Sequence, residues 1–214
     1  MGIDREAWAD RLFGPREDLR DGLLDDVPDE PLDVVVSLTE LLGAAGELVG
    51  RYSTPQLADG LWYLAADSGL FRQLYNPAVP EDPRAECAAA IRELHKRLFE
   101  PLCENALSHG DHGPAVEERL NSICYMWWDV FPTWGSPNDP AARGVDEVLL
   151  NVMRGTLSSE NVACVESGLH GLGHWHTSYP DLVESTIDAF LRERPEIGVA
   201  LRDYAHAARR GRVL

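Results

Sequence analysis

Lysine is almost absent from this 214-residue chain: Lys96 is the only one, and arginine carries the remaining positive charge. With 19 Lys+Arg against 36 Asp+Glu, the formal net charge is -17. A surface of that sign repels polyanions, so nucleic acid and anionic membranes are not expected partners, whereas a basic protein is. No apolar run approaches the ~18 residues of a membrane span. The opening MGIDREAWAD has no apolar leader segment, and Glu6 stands where an N-myristoylation motif carries Ser or Thr. These absences predict a soluble, cytoplasmic protein.

Paired cysteines are missing too. Cys87, Cys103, Cys124 and Cys164 are separated by 16, 21 and 40 positions with no CxxC among them, which excludes zinc-ribbon and thioredoxin-type sites. They are expected as reduced, buried core residues. Strand patterns are equally scarce: Val34-Val35-Val36 is the one β-branched run, and it lies inside a helical pattern. Without strands there is no setting for a glycine-rich phosphate loop, and no serine or cysteine has the flanking signature of a nucleophile. Adjacent His-Asp pairs, which all-α phosphohydrolases of the HD type require, are absent. No catalytic or cofactor-binding motif emerges, so no cofactor is expected and a non-enzymatic role is preferred.

What the chain does have is helical periodicity from end to end. Leu38, Leu41, Leu42, Ala45, Leu48 and Val49 form one stripe of a helix over 32–50, with Glu40 and Glu47 opposite. Ser53 and Gln56 have capping-box spacing and Pro55 suits a first turn, starting a helix whose Leu57, Leu61 and Leu64 face one way. After the proline-rich NPAVPEDP (76–83), Ile91, Leu94, His95, Leu98 and Leu102 continue on a helix that Pro101 should kink or end. Further helices are predicted over 115–130, 140–157, 160–174, 181–193 and 196–209. Short connections make consecutive helices antiparallel neighbours, predicting stacked helical hairpins in a single all-α domain over 1–214. The acidic, turn-rich segment within 1–31 reads as a weakly ordered cap or arm that follows a short helix around Trp8, Leu12 and Phe13; helical hairpins fill 32–157.

The stretch ESGLHGLGHWHTSYPD, 166–181, concentrates histidine. Glu166, His170 and His174 lie one helical turn apart on a face adjoining the stripe of Val162, Val165, Leu169 and Leu172. Two histidines at i and i+4 are the helical half of many zinc sites. His176 joins them only if the helix ends near His174, which Gly168, Gly171 and Gly173 would favour. Other candidate third ligands are His109, Asp111 and His112 in the loop SHGDHGP. The competing reading leaves the histidines as hydrogen-bonded groove residues, with glycines that let a neighbouring helix approach.

The segment ACVESGLHGLGHWHTSYPDLVESTIDAFLRE, 163–193, resembles one HEAT-type repeat: a first helix ending in Leu169, Leu172 and Gly173, a turn with Pro180, and a second helix with apolar pairs. RPEIGVALRDYAHAA, 194–208, is similar to the first helix of a following, incomplete unit. The resemblance covers about 160–208 and implies an α-solenoid with a diverged N-terminal half, acting as a scaffold for another protein. In that setting Trp128, Trp134, His174 and Trp175 are candidate partner-binding residues, Trp128 and Trp134 coming from the aromatic stretch SICYMWWDVFPTW, 122–134. DDVPD, Asp25–Asp29, matches a magnesium-binding DDxxD pattern, but Pro28 interrupts the helix that motif needs. The sequence therefore ranks an acidic interaction module first, possible neutraliser of a basic toxin, and a metal-binding helical protein using His170 and His174, a hydrolase or transferase, second.

Overall fold

Helix start signals in the sequence do what local chemistry requires in the computed structural model, which describes residues 4–14, 30–109 and 119–213. Gln56 Oε1 accepts from the Ser53 backbone N–H at 2.9 Å, closing the capping box that opens α4 (Thr54–Trp62). Pro31 and Pro180 occupy the first turns of α2 (Pro31–Gly43) and α10 (Pro180–Glu193), where a missing N–H costs nothing. Asn161 caps α9 (Val162–Trp175) by accepting from Ala163 N at 3.0 Å. The remaining helices are α1 (Arg5–Phe13), α3 (Ala45–Leu48), α5 (Glu81–Leu94), α6 (Glu100–Leu102), α7 (Arg119–Val130), α8 (Arg143–Thr156) and α11 (Val199–Ala208). No strand occurs among the described residues, and no helix there is long and apolar enough to cross a membrane.

Two departures from the sequence reading have physical causes. The helix expected over 32–50 breaks at Ala44 into α2 and α3, between Gly43 and Gly46, each ~1 kcal/mol poorer than alanine in a helix. Beyond Leu94 the chain widens into a π turn, His95–Phe99, before α6. Pro101 has no N–H to give the Arg97 carbonyl, and the widened turn absorbs the mismatch. The short helix expected around Trp8, Leu12 and Phe13 is α1: Asp4 caps it, and those three residues are buried in the common core. A β-carbon on Gly60 would collide with the Phe13 ring and the Leu12 carbonyl, so the glycine lets α1 dock on α4. Asp25–Asp29 lies outside the described residues, as do Asp111 and His112.

Packing runs in two rows. α4, α7, α9 and α11 contact one another in succession, α2, α5 and α8 form the second row, and α8 and α9 join them. Sequence neighbours pack as expected at α8–α9 and α9–α10, but α7 packs on α9 rather than on α8. The connection 131–142, with Pro132, Pro137 and Pro140, is long enough to permit that step. One hydrophobic cluster extends from Trp8 to Val213. α9 lies between α7, α8, α10 and α11, so every residue from Ala163 to Gly173 is buried. Its glycines are contact points: a β-carbon on Gly171 would be 2.6 Å from Trp128 Cγ, and one on Gly168 2.8 Å from the Met153 carbonyl.

Candidate metal centre

Burial of most of α9 directs Glu166, His170 and His174 to partners inside the protein. Glu166, His170 and His174 share the face turned toward α7 and α11, as their spacing requires. His170 Nε2 and His174 Nε2 approach to 3.1 Å, and Asp129 Oδ1, from the last turn of α7, lies 3.2 Å from His174 Nε2. The three atoms belong to one cluster of potential ligands. Around a tetrahedral zinc ion with ligand distances of ~2.0–2.1 Å, nitrogen and oxygen donors stand ~3.3–3.4 Å apart. Two of the three separations thus come close to those of a coordinated set, and the third, between His170 and Asp129, is within 4.8 Å.

A supporting shell fixes the ring of His170. Its Nδ1 is 2.6 Å from the Tyr204 hydroxyl, which lies 3.1 Å from the Tyr125 hydroxyl. If Nδ1–H donates to Tyr204, the Nε2 lone pair is turned toward His174 and Asp129, the orientation a metal ligand needs. Burial, with the neighbouring His174 and His109, pulls the His170 pKa down to about 3. Burial also lowers that of His174, against the pull of Asp129. Both imidazoles are therefore neutral at physiological pH, the form that ligates.

The cluster is open on one side: the His174 and Asp129 side chains are 14% and 32% exposed, whereas His170 is buried. Trp134 stacks on His174 at 4.9 Å and is itself half exposed, forming a rim. Trp128 and Trp175, considered as surface anchors from the sequence, are wholly buried. Trp128 fills the space left by Gly171, so neither ring offers a surface to a partner.

Of the expected third ligands, His109 turns to Glu166. Its ring contacts the Glu166 carboxylate, its backbone N–H and that of Ser108 donate to the same group, and it stacks on Tyr204 at 4.1 Å. Glu166 and His109 thus brace Tyr204 from behind. His176 pairs with Glu184 at 3.3 Å, away from the cluster, because α9 continues through its glycines to Trp175. The third member is Asp129, which the sequence reading does not single out. Its signal was available: in SICYMWWDVF it is the one acidic residue of an otherwise apolar and aromatic helix.

The cysteines divide as well. All four are buried and free, and burial pushes the Cys87 thiol up to about 12, as befits a core residue. Cys164 is shifted down to about 6 by its hydrogen bond with Cys124, with His95 contributing, although burial acts the other way. Compared with protein-family models, curated proteins and solved structures, the chain matches none.

Proposed function

We propose that this protein binds one divalent transition-metal ion, with zinc the best fit, through His170, His174 and Asp129. The observation that carries the reading is the convergence of two neutral imidazole nitrogens and a carboxylate oxygen at 3.1 and 3.2 Å. Three protein ligands with an open side correspond to a catalytic rather than a structural zinc site, where a water molecule takes the fourth position. Such an ion would lower the pKa of its water and polarise a carbonyl or phosphoryl group, so hydrolysis is the reaction class favoured. Tyr204 and Tyr125 orient His170, and Trp134 borders the approach. The test is metal analysis of tag-free protein after dialysis. About one zinc or iron per chain more than the His170→Ala/His174→Ala variant retains supports the reading; equal metal in the two proteins ends it.

The HEAT-like scaffold, ranked first from the sequence, becomes the second reading. The two-row packing and the pairing of α9 with α10 favour it, together with the charge of -17, which suits a basic protein partner. Its test is independent of the first: association with a basic partner would survive both chelator and the double histidine substitution.

A further inference from the structure

Apart from the His170 cluster, three buried groups from distant parts of the chain meet at one point. His95 comes from the π turn, Cys124 from α7 and Cys164 from α9, and their ligand atoms all lie within 4.8 Å of one another. We propose that His95, Cys124 and Cys164 form a second metal site, selective for a thiophilic ion such as Zn2+ or Cd2+.

The independent observation is the state of His95. It is 3% exposed, yet neither ring nitrogen has a hydrogen-bond partner of normal geometry. A buried imidazole without a partner is costly, and buried polar groups without one are rare. The ring is held in place: it stacks on Trp128, 5.9 Å away with an interplanar angle of 5°, and Phe99 packs against its edge. Its polar neighbour is the Cys164 sulfur, which has a weak hydrogen-bonding and electrostatic interaction with it that falls short of normal hydrogen-bond geometry. An ion between the nitrogen and the two sulfurs would satisfy the ring.

Zinc–sulfur and zinc–nitrogen distances of ~2.3 and ~2.0–2.1 Å put donor atoms ~3.3–4 Å apart. From separations of up to 4.8 Å, side-chain rotations moving an atom by under ~1 Å would close the set. The Cys103 thiol, which interacts with Cys124, lies beside the set without belonging to it. A pocket of about 420 Å3, lined by His95 and Cys164 with Arg92, Lys96 and Glu100, gives an ion access from solvent. On binding, each coordinated thiol gives its proton to the buffer, and no redox change is involved. The sulfur content separates this site from the nitrogen and oxygen set of His170, His174 and Asp129.

The experiment uses the full chain, reduced and freed of metal by chelator, titrated with Cd2+ alone. The expected result is a thiolate-to-cadmium charge-transfer absorption that saturates at one equivalent. It persists in His170→Ala/His174→Ala and is lost in Cys124→Ser/Cys164→Ser. Should the cysteine variant not fold, 113Cd NMR of the wild-type protein decides: a resonance in the sulfur-ligated range supports the site. Only oxygen- or nitrogen-ligated cadmium, absorption retained without both cysteines, or a Cys124–Cys164 disulfide in the protein as isolated overturns it.

Discussion

Asp146 and Asp129 flank the same loop, 131–142, but their surroundings are opposite in kind. Asp146 is wholly buried, and its two oxygens accept from the Tyr75 hydroxyl at 2.8 Å, the Tyr179 hydroxyl at 2.7 Å and the Ser136 N–H at 2.6 Å. Burial and that carboxylate keep both tyrosines protonated, since each has its pKa raised. Donors surround an acceptor, and the knot fastens the loop to α8 and the start of α10. Asp129 instead faces His174, which faces His170, so three acceptor-rich atoms converge with few protons to share. Saturation of hydrogen bonds marks a structural polar cluster; convergence of lone pairs marks one suited to a cation.

The largest expected effect is on the saturated side. Asp146→Ala leaves three part-buried donors without their acceptor and should destabilise the protein by ~3–5 kcal/mol in chemical denaturation, a large fraction of a marginal stability. A cost below ~1 kcal/mol would show that the knot is not structural. On the convergent side, zinc at about 100 times its dissociation constant should stabilise the wild type by ~2.7 kcal/mol more than it stabilises His170→Ala/His174→Ala. Equal stabilisation of both proteins would place the ion elsewhere.

The third effect is a pH dependence in metal-free protein. With a folded pKa of about 3 against 6.5 unfolded, His170 binds a proton more readily in the unfolded chain. Its contribution is therefore complete above pH 6.5 and is lost as pH falls toward 3, by at most ~1.4 kcal/mol per pH unit. Denaturation midpoints at pH 7 and pH 5 should show this slope, and His170→Gln should flatten it. The smallest effect sharpens the contrast with Asp146: Asp129→Ala in metal-free protein should cost under ~1 kcal/mol, because Asp129 is part exposed and its contact with His174 is partly solvated.

Much of this was legible in the sequence where local chemistry decides. The capping box at Ser53, the cap at Asn161 and the i, i+4 pair His170/His174 need only spacing to be read. Asp129 was not legible as a ligand, because its role depends on α7 lying against α9, a tertiary choice made by the long connection after Phe131. The same holds for the glycines of α9. Propensity suggests that Gly171 and Gly173 end the helix, but close contacts with Trp128 and Val213 keep them inside it. Continuation of α9 carries His176 to the far side, and burial of Trp128 and Trp175 follows from the same close packing. The His95, Cys124 and Cys164 cluster draws on three elements 29 and 40 positions apart, so no motif could announce it.

The central claim is that His170, His174 and Asp129 hold one ion, and diffraction from zinc-loaded crystals at the zinc absorption edge tests it most directly. The expected result is an anomalous peak ~2.0–2.2 Å from His170 Nε2, His174 Nε2 and an Asp129 oxygen. Density there without anomalous signal, with the two imidazoles hydrogen-bonded to each other in the presence of saturating zinc, would contradict it.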